Sequence, residues 1–269
     1  MSDEIHLTVT AKPQTQMLLM KALISIVITT YNGERYLGAA IESVLSQTRG
    51  DFELLIWDDG STDDSVRIAQ TYAKQDSRVR VVAAVHQGRV QALKGAIAQT
   101  TGTYIGWIDQ DDLLAAAALQ ETTAILDTNP EVGFVYTDYL DMEESGKIRG
   151  YGTRCHIPYS KERLLLDFMT FFFRLMRREV FEQVGGLDES MTHVEDYDLC
   201  LKLSEATEVR HVKKPLYYYR CHGLSASQKY PRQQAENACD AIANALKRRG
   251  LAEQLQVQLE ILQDVPFQS

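Results

Sequence analysis

From Leu23 to Asp112 the sequence alternates apolar runs with segments of helical periodicity. The first run, Leu23-Ile24-Ser25-Ile26-Val27-Ile28-Thr29, is rich in β-branched residues, which is typical of a strand buried on both faces. Strands that alternate with helices of 10–15 residues predict βαβ units, and therefore an α/β fold around a mostly parallel sheet. The other predicted strands are 52–57, 79–85 and 104–108, and the predicted helices are 34–45, 63–75 and 90–100.

After Asp112 the pattern becomes mixed. The segment 141–158 is polar and contains three glycines, so we predict a mobile connection there. The sequence from residue 232 to 261 is rich in Ala, Gln, Leu and Glu, which predicts a helical stretch with a break at Gly250. The other predicted elements are helices over 115–126 and 195–203 and strands over 132–137, 171–176 and 216–220.

A polar loop follows each of the first four predicted strands. These loops are residues 29–32, 58–61, 86–89 and 109–112. Because ligands of parallel α/β sheets bind beyond the carboxyl ends of the strands, we expect the four loops to meet in one crevice. Neither a GxGxxG loop after the first strand nor a GxxxxGK[ST] loop is present. Their absence argues against an NAD-dependent dehydrogenase and a P-loop kinase.

These loops are rich in carboxylates, which repel one another unless a cation or donor groups lie between them. The chain contains two D-x-D pairs, Asp109/Asp111 and Asp196/Asp198, whereas about one is expected by chance at this Asp content. Only the first pair directly follows a predicted strand. Carboxylates at that position suit Mg²⁺ or Mn²⁺, which bind one or two carboxylates together with substrate phosphates. The alternative is an acidic helix N-terminus before Leu113.

The charge balance argues against a nucleic-acid-binding protein, and the cysteine spacing argues against a zinc or disulfide-rich protein. Lys and Arg number 28 against 37 Asp and Glu, a net charge of −9, so we expect no nucleic-acid partner. The four cysteines show no CxxC spacing, so neither a zinc site nor a disulfide framework is indicated. No apolar run approaches the roughly 18 residues of a membrane span, and the first 22 residues lack the features of a signal peptide. We therefore expect a cytoplasmic protein.

Four motifs in order resemble family 2 glycosyltransferases of the GT-A fold. Residues 24–65, which contain TTYNGE and WDDGSTDDS, resemble the nucleotide-binding half, and GTYIGWIDQDD resembles the metal-binding DxD region. VGGLDESMTHVEDYDLCLKL resembles the acceptor-side "ED" segment, and PLYYYRCHGLSAS resembles the final motif. The resemblance implies a Rossmann-like, mostly parallel sheet flanked by helices, with a C-terminal helical extension. Its implied domains are an N-terminal extension (1–22), a GT-A domain (23–230, with halves 23–112 and 113–230) and a C-terminal helical segment (231–269).

The same resemblance implies a nucleotide site in the first half. Thr29, Tyr31 and Glu34 lie where the family holds the base and the ribose. Asp59 lies at the position of the carboxylate that accepts a hydrogen bond from the base. Arg89 is a further candidate for contact with the base.

The resemblance also implies a metal and diphosphate site. Asp109 would face the ribose or the metal, and Asp111 would coordinate an Mn²⁺ or Mg²⁺ ion that bridges the diphosphate. His222 and Arg220 match the terminal segment that closes over metal and diphosphate, and a structural role for His222 stays open. Lys94 stands where the family often carries Asn, and it would either touch the phosphates or be solvated.

On the acceptor side, Asp196 matches the catalytic base, with Glu195 beside it. One carboxylate opposite the leaving group gives a single displacement with inversion. The resemblance therefore implies an inverting, metal-dependent enzyme that moves a sugar from a nucleotide diphosphate sugar to a saccharide, lipid-linked or protein acceptor.

Two other functions remain open at this point. One is a catalytically silent nucleotide-binding relative of the same fold, against which the retained carboxylates argue. The other is a nucleotidyltransferase, for which the sequence lacks a basic phosphate-activating loop. The C-terminal segment would pack on the domain, form a homodimer or touch a membrane surface through its basic cluster Lys247-Arg248-Arg249.

Overall fold

The computed structural model describes residues 23–222 and 231–259, and in this part of the chain nine strands form one sheet. The strands are β1 (Ile24–Thr30), β2 (Phe52–Asp58), β3 (Val79–Ala83), β4 (Tyr104–Asp109), β5 (Leu113–Leu114), β6 (Val132–Glu143), β7 (Ile148–Tyr151), β8 (Phe172–Arg177) and β9 (Glu208–Cys221). Their order is β3-β2-β1-β4-β8-β6-β9-β5, and β7 pairs with the C-terminal part of β6.

Helices cover both faces of the sheet. They are α1 (Leu37–Leu45), α2 (Ser65–Gln75), α3 (Arg89–Ala98), α4 (Ala118–Thr128), α5 (Arg178–Gln183), α6 (Glu195–Ala206) and α7 (Pro231–Arg248), with 3₁₀ turns at Thr153–His156 and Arg163–Leu165. Helices α1, α2 and α4 contribute to one apolar core, whereas α3, α5, α6 and α7 contribute to the other. Strand β1 lies between the two cores, with Ile26 and Ile28 on one face and Val27 on the other. The prediction of a strand buried on both faces is confirmed.

Strands β3, β2, β1 and β4 are parallel, as the βαβ pattern predicts. In the register of this half, Thr30 pairs with Asp58 and Thr29 pairs with Asp109. The carboxyl ends of the strands therefore lie side by side, and their polar loops leave the sheet at one edge. Beyond β4 the sheet is mixed, because β8 runs antiparallel to both β4 and β6.

The second half contains more strand than its sequence indicates. The predicted mobile connection at 141–158 is wrong in part, because β6 continues to Glu143 and forms a hairpin with β7. Strand β9 begins at Glu208 rather than at 216 and pairs with β6 along most of its length. Much of β7 and of the first half of β9 is exposed, so these residues lack the apolar pattern of a buried strand.

The C-terminal helix is shorter than predicted and packs on the domain. Helix α7 ends at Arg248, and Gly250 adopts a φ of +67°. The N–H groups of Gly250 and Leu251 donate to the carbonyl oxygens of Lys247 and Leu246, which is the Schellman pattern that ends a helix. Residues 251–259 form turns and irregular structure, so the predicted helix over that stretch is wrong.

Two arginines of the basic cluster at the end of α7 form ion pairs with one carboxylate of α6. Arg248 Nε lies 2.6 Å from Glu205 Oε2, and Arg249 Nε lies 3.1 Å from Glu205 Oε1. These pairs hold α7 against α6. Lys247 and Arg248 are exposed, whereas Arg249 is half-buried. In residues 23–222 and 231–259, no helix combines the length and the hydropathy of a membrane span.

Candidate active site

Arg89, the first residue of α3, joins two sides of a crevice at the carboxyl edge of the sheet. Its Nη1 lies 2.7 Å from Asp109 Oδ1, at the end of β4. Its Nε donates to Glu195 Oε1 at 3.0 Å, at the start of α6. The ends of the parallel strands and the N-terminus of α6 therefore face each other across this guanidinium.

The loop after β3 is held by Asp59. This buried carboxylate accepts hydrogen bonds from the backbone N–H groups of Gln87 and Gly88, both at 2.9 Å. His86 Nδ1 lies 2.8 Å from Asp59 Oδ2, and the His86 ring stacks on Tyr31 with 4.2 Å between ring centroids. The predicted base-binding residues Asp59 and Tyr31 thus lie in one cluster. A carboxylate accepts up to about four hydrogen bonds, which leaves Asp59 capacity for a ligand donor.

Gly60 allows the loop after β2 to approach this cluster. Its φ is +79°, and a Cβ atom there would lie 2.8 Å from the backbone nitrogen of His86. Glycine adopts this left-handed conformation without steric cost. Any other residue would push the loop after β3 away from Asp59.

The other two predicted nucleotide residues lie at the same edge. Thr29 pairs in register with Asp109. Glu34 belongs to the loop between β1 and α1, and its Oε2 accepts a hydrogen bond from the Asp64 N–H at 2.9 Å. Gln110 ties the loops after β1 and β4 together, because its Oε1 accepts from the Thr30 hydroxyl at 2.6 Å.

Asp111 and His222 form the centre of the predicted metal site. His222 Nε2 lies 2.7 Å from Asp111 Oδ2, so the end of the loop after β4 meets the residue that follows β9. Burial and the nearby Asp109 carboxylate raise the pKa of Asp111, whereas the His222 ring opposes the increase. The carboxylates of Asp109 and Asp111 therefore lie close together at this point.

Asp112 is buried behind this site and anchors β9. Its Oδ2 accepts from the Tyr217 hydroxyl at 2.7 Å, and its Oδ1 accepts from the Arg220 N–H at 2.7 Å. Burial and the carboxylates of Asp111 and Asp109 raise the pKa of Asp112 well above its usual range. Asp112 therefore fixes the segment that brings His222 to Asp111.

Replacing Tyr217 by Phe tests this anchor. The ring, which stacks on Phe172 with 4.4 Å between centroids, is kept, but the buried Asp112 carboxyl loses one donor. We expect the free energy of unfolding to fall by about 1–3 kcal/mol, measured by chemical denaturation. Tyr218→Phe is the matched control, because the Tyr218 hydroxyl makes no hydrogen bond with the part of the chain described. Equal stability of the two variants would contradict an anchoring role for Asp112.

The two acidic residues at the start of α6 differ in exposure. The Glu195 side chain is 5% exposed, and burial raises its pKa while Arg89 opposes the increase. The Asp196 side chain is 22% exposed, and its Oδ2 accepts from Arg174 Nη1 at 3.0 Å. Its Oδ1 accepts from the Tyr197 N–H at 2.8 Å. Asp196 is therefore the carboxylate of this pair that is more accessible from the crevice.

Comparison with known proteins shows the family to which this chain belongs. The sequence profile described as "Glycosyl transferase family 2" matches residues 25–185, which is more than half of the chain. The chain belongs to glycosyl transferase family 2. The prediction made from its four motifs, a family 2 glycosyltransferase, is confirmed.

The relatives of this family 2 member include larger synthases. A chondroitin synthase from Escherichia coli is 32% identical over 240 residues, which cover 89% of this chain and 35% of that protein. The chain thus spans about a third of the length of that relative.

Solved structures share the fold. TarS 1–349 of S. aureus, in complex with UDP-GlcNAc, matches with a TM-score of 0.69 and 20% identity, covering 87% of this chain and 71% of that chain. The mannosyltransferase PcManGT from Pyrobaculum calidifontis, in complex with GDP-Man and Mn²⁺, matches with a TM-score of 0.64 and 14% identity, covering 85% and 65%. The predicted GT-A fold is confirmed.

Two candidate residues of this family 2 chain are engaged by the protein itself. The Arg220 guanidinium is buried, donates to the carbonyl oxygens of Asp111 at 2.7 Å and Glu144 at 3.1 Å, and lies over the Tyr36 ring. Its contact with a diphosphate stays a prediction. Lys94 forms an ion pair with Glu189, and both side chains are exposed.

Sequence reasoning missed several residues that shape the site. Gln110 and Asp112 belong to the predicted crevice loop 109–112, but their partners, such as Thr30 and Tyr217, are far away in the chain, so no local pattern indicated these contacts. Arg174 had a usable signal, since it interrupts the apolar run of residues 171–176. A charge in a predicted buried strand requires a partner of opposite charge.

Proposed function

We propose that this chain is an inverting, divalent-metal-dependent glycosyltransferase that moves a sugar from a nucleoside diphosphate sugar to a saccharide acceptor. The observation that carries the proposal is the arrangement around Arg89. One guanidinium separates Asp109, at the carboxyl end of β4, from the Glu195-Asp196 pair at the start of α6. A donor on the strand side and an acceptor on the α6 side would meet there.

The nucleoside would bind over the loops after β1, β2 and β3. Tyr31 is 45% exposed and offers a ring face, and the nearby Asp59 offers a fixed acceptor. Aromatic faces and a small number of positioned polar groups are the usual means of holding such a ligand. The matched structures with UDP-GlcNAc and GDP-Man support a nucleotide sugar as the donor class.

Asp111 and His222 fit a divalent cation. Their facing atoms, a carboxylate oxygen and an imidazole nitrogen, lie 2.7 Å apart next to a cluster of carboxylates. In the ranges 23–222 and 231–259 no three His, Cys, Asp or Glu side chains surround one point. An ion held by two protein ligands would complete its coordination with donor phosphates, which is usual for Mg²⁺ and Mn²⁺ at phosphate sites.

The proposed reaction is a single displacement at C1 of the donor sugar. The acceptor hydroxyl oxygen attacks C1, the bond from C1 to the diphosphate oxygen breaks, and its electron pair leaves with the nucleoside diphosphate. The hydroxyl proton passes to Asp196 as general base. A divalent ion, when bound, neutralises charge on the leaving diphosphate. Attack from the face opposite the leaving group inverts the configuration at C1.

A relative and a group of aromatic rings support the proposed class of acceptor. The relationship to a chondroitin synthase supports a saccharide acceptor. Phe168 and Phe171 belong to a cluster of aromatic rings near Asp196. The Phe168 ring contacts Tyr197, the residue that follows Asp196, and the guanidinium of Arg174, which pairs with Asp196. Such rings provide large, rigid apolar faces. We propose that they border the acceptor.

A panel of UDP- and GDP-sugars with Mn²⁺ and saccharide acceptors tests the proposal. We expect release of free nucleoside diphosphate with one donor, only when an acceptor is present, and loss of release with a chelator. NMR of the product should show the anomeric configuration opposite to that of the donor. Tight nucleotide binding without release would support the catalytically silent relative instead, and retained configuration would contradict the single displacement.

A further inference from the structure

We propose that Arg174 is a positioning residue for the catalytic base, which supplies the counter-charge of the Asp196 carboxylate and holds it in a fixed orientation. This inference rests on the proposed function, because it assigns a partner to the same base. Arg174 lies on β8, and its Nη1 donates to Asp196 Oδ2 at 3.0 Å. In residues 23–222 and 231–259, Asp196 is the carboxylate with which Arg174 forms an ion pair.

The guanidinium of Arg174 is immobilised by its surroundings. Its side chain is only 5% exposed. It lies 5.7–5.8 Å from the ring centroids of Trp107, Phe168 and Phe172. Cys200 Sγ, on α6, lies 3.9 Å from Nη1. A guanidinium packed among rings has little freedom to leave the carboxylate, so it fixes the orientation of Asp196 as well as its charge.

Burial of the Arg174–Asp196 ion pair costs solvation free energy, so we infer that the pair has a role beyond stability. A guanidinium removed from water loses solvation that one ion pair repays only with good geometry, and an apolar pair of similar volume is often as stable. The exposure of the two side chains is unequal, 5% for Arg174 and 22% for Asp196. The cation is therefore the more buried partner, and part of the Asp196 carboxylate remains exposed.

The charge balance around Asp196 requires such a cation. The titratable and charged groups that face it are Glu195 and Cys200 on α6, Arg89 on α3 and Arg174 on β8. The Glu195 carboxylate carries the same charge as that of Asp196, and Arg89 pairs with Glu195 and Asp109. Arg174 is thus the cation dedicated to Asp196, and its loss should make protonation of the base easier.

The test is the pH dependence of turnover in two variants of Arg174. With Arg174→Gln, at saturating donor and acceptor, we expect kcat to fall by about 10–100-fold. The acidic limb of its pH profile should move upward by about one pH unit or more, because the ionised base has lost its cation. With Arg174→Lys the limb should stay near that of the wild type while kcat falls, since an ammonium keeps the charge and loses the planar fork. Donor KM should change little in both.

Arg177→Gln is the matched control on the same strand. The Arg177 guanidinium donates to the carbonyl oxygens of Val132 at 2.9 Å and Leu126 at 2.6 Å, so its loss should lower the Tm without moving the pH profile. An unmoved acidic limb in Arg174→Gln would overturn the proposal. Should Arg174→Gln not fold, wild-type kcat in Arg174→Lys would overturn it.

The experiments distinguish a wrong assignment of the base from a wrong role for Arg174. If Asp196→Asn keeps normal turnover, the proposed base is wrong. If Asp196→Asn is inactive and the Arg174 variants keep both the wild-type pH profile and the wild-type kcat, the base stands and Arg174 is structural only.

Discussion

Asp196→Asn is expected to lower turnover by about 10²–10⁴-fold at saturating donor, equivalent to about 3–5 kcal/mol of activation free energy. Asn keeps the shape of the side chain but cannot take the proton of the acceptor hydroxyl. Donor affinity should hardly change, because Asp196 lies on the α6 side of Arg89 and the nucleotide loops lie on the strand side. Turnover and donor binding are measured on the same preparation.

The cost to stability of Asp196→Asn should be small. The carboxylate accepts one hydrogen bond from Arg174 and one from the Tyr197 N–H, and an amide oxygen retains one of the two. We expect a loss of about 1 kcal/mol in the free energy of unfolding.

Asp198→Asn provides the matched control in the same helical turn. Asp198 is buried, and its Oδ2 lies 2.6 Å from Lys202 Nζ, so its carboxylate is paired with a cation of the same helix. This variant should lose stability and keep turnover per folded molecule. Normal turnover in Asp196→Asn, or equal losses in both variants, would refute the base assignment.

Asp111→Asn should abolish most of the Mn²⁺ dependence of nucleoside diphosphate binding. Loss of an outer-shell partner of a metal ligand typically costs about 10–100-fold in affinity, and loss of a ligand itself should cost at least as much. The fold should tolerate the change, because Asn replaces one of three neighbouring carboxylates that repel one another. Binding is measured by titration with Mn²⁺ and with a chelator.

Asp51→Asn is the control for Asp111→Asn. Asp51 is exposed at the opposite end of β2 and pairs with Arg49, far from the carboxyl edge of the sheet. It should bind nucleotide with the same Mn²⁺ dependence as the wild type. If wild-type protein binds equally well with and without Mn²⁺, Asp111 has no role in metal binding.

Most of the first half of the fold is predictable from the sequence. The run 24–29 is predicted to be buried on both faces, because four of its six side chains are apolar and they point to both sides of the strand, and helices on both sides follow from that requirement. The polar loops at the carboxyl ends of such strands then share one edge. The site residues Asp59, Asp109 and Asp111 were predicted from these loops and from the motifs, and their roles stay predictions.

The second half was less predictable for a physical reason. Strands β7 and β9 carry exposed polar residues, and what makes them strands is hydrogen bonding to β6. Helix α7 ends at Arg248, two residues before the predicted break at Gly250, and residues 251–259 do not resume a helix. Helical composition alone did not decide that stretch, because short helices depend on tertiary packing.

The sequence by itself determined the class of fold, the alternation of strands and helices along its first half and the chemical types in the site. Local propensity, burial pattern and spacing act along the chain, so a single sequence carries them. Only the tertiary structure decided which charges meet. Arg89 reaches Asp109 and Glu195, Arg174 reaches Asp196, and each pair joins residues separated by 20 or more positions. Such contacts depend on strand order and helix packing, which the spacing of residues along the chain does not record.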